Sequence, residues 1–194
     1  MKLLFVVSGN VKPFTITPFI QAKRKALIER KIKLTYFLIE GGGLKNYFKH
    51  IYYLRKHVKN NRVDLIHAHY SLSGCVAVLA DRKIPVVLSL LGTDALGDFV
   101  GEKKIKFSSR FFILLTWLVQ PFLKAIISKS SEVEKIVYRK KISYIIPNGV
   151  QLDKFIVAES GFRSGLGLKA DVKYVLFLGN PLDKNKNYRL AQEA

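Results

Sequence analysis

Asp64–Gly74 reads DLIHAHYSLSG. A short apolar strand, Leu65–Ala68, runs through His69 and Tyr70 into a stretch rich in small residues, which predicts a helix from about Leu72 to Asp81. A strand passing this directly into a helix is the βα unit of a parallel sheet. His67 and His69 alternate with Ala68, so a strand here puts both imidazoles on one face.

The same unit recurs on either side. Leu3–Val7 is a strand, followed by a loop over Ser8–Thr15 and a helix from Pro18 to about Lys31. Thr17 is placed to cap that helix, and Pro18 sits where a missing N–H is harmless. Phe19, Ala22, Ala26 and Leu27 form its apolar side, opposite a Lys/Arg-rich one. Leu34–Ile39 is the second strand, broken by Gly41-Gly42-Gly43. The next helix, Leu44 to about Asn60, carries Tyr47, Ile51, Leu54 and Val58 on one stripe. Pro85 opens a fourth strand, Val86–Leu91, which ends at Gly92-Thr93-Asp94. After a long loop, Ser108 or Ser109 is placed to cap a helix reaching about Gln120. Ala125–Ser128 and Tyr144–Ile146 are the fifth and sixth strands, and Ser130/Ser131 with Glu134 forms a capping-box pattern for a short helix to about Tyr138. Pro147-Asn148-Gly149 then turns the chain, and Tyr174–Leu178, YVLFL, reads as a fresh buried strand before a helix begins at Lys186. The expected architecture is α/β. A doubly wound, Rossmann-like parallel sheet occupies 1–150, a linker 151–172, and the start of a second Rossmann-like domain 173–194.

Composition narrows the function classes. With 49% hydrophobic and 24% charged residues, the 194-residue chain has the balance of a folded protein rather than a disordered one. A net charge of +19 points to an acidic partner: nucleic acid, anionic lipid or a phosphorylated small molecule. Nucleic acid is disfavoured, because the cations are scattered and no binding signature accompanies them. Cys75 is the only cysteine, which excludes an internal disulfide and a cysteine-based zinc site. MKLLFVVSGN is too short in its apolar run for a secretory leader and reads as a buried first strand. The most apolar run, Phe111–Val119 (FFILLTWLV), is about half a bilayer-spanning length. It fits either a buried helix or a helix whose outer face dips into a membrane with Trp117 at the interface.

No Gly-x-Ser-x-Gly elbow and no P-loop is present. SGNVKPF after the first strand has a single glycine, which disfavours a nicotinamide cofactor or an epimerase-type dinucleotide site. Ligands of open parallel sheets bind beyond the carboxyl ends of the strands. That rule selects Ser8, Gly9 and Asn10; His67, His69 and Tyr70; Gly92, Thr93 and Asp94; and Ser128 and Lys129. Asp94 either caps the following turn or accepts a hydrogen bond from a sugar hydroxyl or a catalytic base. Lys184 and Lys186 are either solvated or phosphate contacts beside a helix N-terminus.

DLIHAHYSLSG, IISKSSEVEKI (Ile126–Ile136) and YIIPNGVQLDKF (Tyr144–Phe155), in that order, resemble the amino-terminal half of family 4 glycosyltransferases, which have the GT-B fold. YVLFLGN and KNKNYRLAQEA are similar to the opening of their second domain. The resemblance implies retaining transfer of a sugar from a UDP- or GDP-sugar to a glycan or lipid-linked acceptor. No cofactor and no metal is implied, since the nucleotide-sugar is a co-substrate. It places Gly9, Gly92, Asn180 and Lys186 toward the donor and Asp94 at the catalytic centre, where His69 is a candidate substitute for the family's His; among the strand-end residues, Asn10, Tyr70 and Lys129 are the acceptor-side candidates. Leu91 stands where the family often has a donor-facing His, and Asn180 where it often has an Arg. The setting implied is cell-surface polysaccharide or glycolipid synthesis in the cytoplasm, peripheral on an anionic inner membrane face. The pattern also reads as a fragment whose donor site is incomplete, so no transfer is expected of it alone. The rival reading is a non-catalytic accessory half of a split glycosyltransferase.

Overall fold

Six of the apolar runs become strands because each finds a parallel neighbour on at least one side. The computed structural model describes residues 1–10, 14–100, 104–150, 165–169, 171–183 and 186–193. The chain divides into two compact units, Met1–Asp98 with Ile105–Gly149, and Phe99–Lys104 with Val150–Ala194.

In the first unit the order is β1 (Lys2–Ser8), α1 (Pro18–Glu29), β2 (Lys33–Ile39), α2 (Leu44–Asn60), β3 (Leu65–His69), α3 (Ser71–Ala80) and β4 (Val86–Ser89). It continues with α4 (Thr93–Leu96), α5 (Phe107–Val119), β5 (Ala125–Ser128), α6 (Ser131–Glu134) and β6 (Ser143–Ile145). The six strands form one sheet in the order β2-β1-β3-β4-β5-β6, and all pairings are parallel. The order reverses between β1 and β3, which makes their carboxyl ends the topological switch point.

Strand alternation sorts the core into two layers. Leu4, Val6, Ile66, Ala68, Val86, Leu88 and Ile126 face α2 and α3, and the same cluster takes in Val119 of α5 and Val133 of α6. Leu3, Phe5, Val7 and Leu34 face the other way, against Ile20, Phe19 and Leu27 of α1. The sheet is doubly wound, but unevenly: among the described residues α1 is the only helix feeding the second layer. α3 is close-packed because its residues are small; a Cβ on Gly74 would lie 3.0 Å from Leu88 Cδ1.

Several local expectations are corrected. Thr17 is the N-cap residue of α1, but its hydroxyl makes no capping bond and is buried without a partner. Lys106, not Ser108 or Ser109, precedes α5; the Ser109 hydroxyl instead accepts from the Asp98 amide at 3.1 Å. Ser130 does cap α6 through the Val133 amide, but Glu134 pairs with Lys140 (2.6 Å) rather than closing a capping box. α6 stops well before Tyr138 because the buried Gln120 side chain takes over the local backbone. Its Oε1 accepts from the Tyr138 and Arg139 amides, and its Nε2 donates to the Ile136 carbonyl.

α5 is turned inside out. Its buried residues are Ser109, Thr116 and Val119, whereas Phe107, Phe111, Leu114, Trp117 and Leu118 are exposed. A buried helix is therefore not what this run forms. The reason is polar: Thr116 is held inside by hydrogen bonds to Ser71 Oγ (2.6 Å) and to the Asp94 carbonyl (2.6 Å), which fixes the helix face.

In the second unit, α7 (Tyr188–Glu193) carries an Arg189–Glu193 ion pair at 2.7 Å, and Tyr188 meets the Phe177 ring edge-on. Tyr174–Leu178 is not a strand: Val175 is 97% exposed and no described strand of this unit offers it a ladder. Phe155 and Lys184 lie outside the described residues.

Candidate functional site

At the switch point a cavity of about 230 Å³ is lined by Ser8, Thr17, Ile20, Tyr47, His69, Tyr70, Leu91 and Thr93. Its polar lining is hydroxyl and imidazole, with no carboxylate. Such a wall hydrogen-bonds neutral hydroxyls or anions rather than cations.

The floor of this site rests on Asp94. Its carboxylate is fully buried and accepts four hydrogen bonds: the Leu91 and Gly92 amides on Oδ1 (2.9 and 3.0 Å), the Ser71 amide and hydroxyl on Oδ2 (both 3.0 Å). Burial pushes its pKa up, and the four donors oppose that shift. Asp94 therefore joins the end of β4 to the start of α3 and offers nothing to the cavity. Gly92 has φ +120°, a conformation that side chains rarely adopt, so the loop after β4 depends on glycine there. Tyr70 also has positive φ, 82°, and its amide donates to the Ser89 carbonyl at 3.0 Å. Burial, reinforced by Asp94, raises its phenol to about 12, so it acts as a neutral hydrogen-bonding group.

His69 is 1% exposed, stacks on His67 at 4.3 Å, and neither of its ring nitrogens has a protein partner. Burial is the main cause of its strongly lowered pKa, with His67, Lys23 and Lys129 adding to it. It is a neutral donor–acceptor and a poor proton acceptor. His67 is likewise lowered, to about 3, mainly by burial, and its Nε2 lies 2.8 Å from Ser89 Oγ.

After β1, the Gly9 amide donates to the Ile39 carbonyl at 3.0 Å, and a Cβ there would come within 3.1 Å of Glu40 Cγ. The Asn10 side-chain amide donates to the Ile39 and Gly41 carbonyls, both at 3.2 Å, so it ties the loop to the end of β2. Lys129 is half-buried just past β5, its Nζ 3.4 Å from the Ile146 carbonyl. Asn180 and Lys186 belong to the second unit. There the Asn180 side chain accepts from the Leu182 amide at 3.0 Å, and the Lys186 amide donates to the Asp183 carbonyl at 2.9 Å.

The structure thus brings together Ser8, His69, Tyr70, Leu91 and Thr93, and sets Asp94 behind them. The sequence reading missed Ser71, Thr116 and the cavity contributions of Thr17, Ile20 and Tyr47. Thr116 left a signal, as the one polar residue inside FFILLTWLV.

Fold and cavity define a parallel α/β domain with a cavity at its switch point. The family model described as Glycosyltransferase Family 4 matches residues 16–154, and the chain belongs to that family. No curated protein matches the chain. Among solved structures it is similar to UDP-N-acetylglucosamine 2-epimerase from Rickettsia bellii, with 13% identity and a TM-score of 0.48 over 87% of this chain. The match spans 52% of the epimerase, about half its length.

Proposed function

We propose that the first unit is the acceptor-side half of a retaining glycosyltransferase that moves a sugar from a UDP- or GDP-sugar to a glycan or lipid-linked acceptor. The observation that carries this reading is the switch-point cavity, walled by hydroxyls and His69, in a chain of family 4. His69 and Leu91 line the same cavity, so His69 takes the donor-facing place that Leu91 vacates. Asp94 is a positioning residue: it fixes the Gly92 loop and α3, and Tyr70 and Thr93 then present their hydroxyls. Catalysis in such a site is orientation of two substrates plus electrostatic relief of the departing diphosphate.

The acceptor arrives at a membrane surface. Support comes from α5, whose exposed Phe111 and Leu118 border an apolar groove of about 230 Å³ walled also by Leu44, Phe48, Leu79 and Phe122. An exposed apolar patch of this kind, on a chain of charge +19, fits an anionic lipid surface where the polysaccharide is built. Among the described residues no helix is long and apolar enough to cross a membrane.

A chimera of residues 1–150 with the donor-side domain of another family 4 member, given labelled UDP- and GDP-sugars and membrane lipid extracts, tests the reading. Transfer with retained anomeric configuration is expected, and His69→Ala should lower it more than tenfold in order of magnitude. A chimera that binds nucleotide but transfers nothing, where its parent transfers, favours the accessory reading. Flotation with anionic vesicles tests the membrane part, and no binding at low salt would sink it.

A further inference from the structure

The face of the sheet that, among the described residues, is covered by α1 alone holds two lysines that do not line the cavity. Register places Phe5, His67, Val87 and Ala125 in one row on this face, and Ser89 and Ile127 in the next. Lys129 lies two residues beyond Ile127, past the end of β5. Lys23 comes from α1, between Phe19 and Leu27 on the stripe that packs on Phe5. Its Nζ sits 5.5 Å from the centroid of the Phe19 ring and within hydrogen-bond reach of the Lys129 amine.

Two half-buried amines in contact repel when both are charged, and nothing described here compensates them. The described ion pairs are Arg62–Asp64, Lys135–Glu132, Lys140–Glu134 and Arg189–Glu193; none involves Lys23 or Lys129. The charges of both amines are felt by His67, whose Nε2 is bonded to the Ser89 hydroxyl, and by the buried His69 ring, neither of whose nitrogens is partnered. Two amines in contact, near imidazole rings in a partly dry setting, are a donor set for a tetrahedral oxyanion. Burial, followed by the Lys129 contact, lowers Lys23 to about 7.

We propose that Lys23 and Lys129, on the side of the sheet that carries His67, form a binding site for a phosphate group. The site does not require the glycosyltransferase reading; if that reading holds, it equips the Lys129 region for an acceptor that carries phosphate. An anion between the two amines lets both keep their protons. Binding therefore takes up a proton above neutral pH and weakens as pH rises, because the free site then has to be charged first.

The test uses the whole chain with isotope-labelled lysine side chains, titrated with inorganic phosphate and separately with phosphatidylglycerol vesicles. Saturable shifts confined to Lys23 and Lys129 are expected with phosphate, accompanied by proton uptake at mildly alkaline pH. Lys23→Met and Lys129→Met should each weaken binding about tenfold or more, whereas Lys124→Met, an exposed control, should not. Lys129→Arg, which keeps the charge if the Met variants fail to fold, should retain binding. If vesicles shift the two lysines and free phosphate also does, the source is a headgroup; if phosphate alone does, it is a soluble ester. Uniform, unsaturable shifts of all lysines, or unchanged affinity in Lys129→Met, would overturn the proposal.

Discussion

The two faces of the sheet treat buried charge in opposite ways. On the crowded face, under α3 and α5, Asp94 is wrapped by four donors, and Thr116 and Ser71 close the network behind it. On the face with α1 alone, Lys23, Lys129, His67 and His69 gather without a described acid, and His69 makes no protein hydrogen bond. A satisfied buried network holds a fold in one arrangement, while an unsatisfied one is either a weakness or a place kept for a ligand. The contrast teaches that Asp94 belongs to the scaffold, although it is the residue a motif reader would first make catalytic.

The largest effect that could break this contrast is Asp94→Ala. It strands the Leu91, Gly92 and Ser71 donors in the interior, and urea unfolding should show a loss of about 4 kcal/mol. Asp94→Asn, which keeps one acceptor oxygen, should lose clearly less. A change under about 1 kcal/mol for Asp94→Ala would remove it from the scaffold. Thr116→Val comes next. It keeps the shape but deletes the hydroxyl between Ser71 and the Asp94 carbonyl, for an expected loss of about 2 kcal/mol in the same measurement.

On the open face the sign reverses. His69→Phe removes an unpartnered buried imidazole beside Phe5, and should leave stability unchanged or raise it by about 1 kcal/mol while impairing transfer in the chimera. A marked destabilisation would make His69 a structural residue. Lys23 gives a pH signature. In the unfolded chain its amine keeps a proton up to about 10.5, whereas folded it releases it near 7. Between those values the unfolded state binds more protons, so this group makes stability rise with pH from about 7 toward 10.5. The groups facing it are Lys129, His67 and His69, and Lys23→Met should flatten that rise in thermal melts across the window. The smallest stability effect is expected for Phe111→Ser with Leu118→Ser, within about 0.5 kcal/mol for each exposed site. The same pair should abolish vesicle flotation.

Much of this could be read from the residues. All six strands of the first unit fall within about two residues of their apolar runs, and α2 has the expected bounds, because alternating burial leaves a strong periodic trace. The switch-point rule alone selected Ser8, His69, Tyr70 and Thr93. The orientation of α5 was hidden because composition records how apolar a helix is, not which side tertiary hydrogen bonds will pull inward. The lone Thr116 was the only trace. Lys23 was hidden among Arg24 and Lys25 on a basic helix, although its i,i+4 spacing from Phe19 and Leu27 marks it as inward-leaning. Lys129 is distant in sequence, so no local pattern could join the two. The expected strand at Tyr174–Leu178 failed for a different reason: apolar content makes a strand only where a neighbour supplies the ladder.

The reversed polarity of α5 has a thermodynamic consequence. Because Thr116 and Ser109 fasten the inner side by hydrogen bonds, the helix meets an apolar surface already formed and already oriented. Docking would then involve no coil-to-helix transition, so the helical circular-dichroism signal should not change when vesicles are added. The heat-capacity change should match burial of the outer side chains alone, without a folding component.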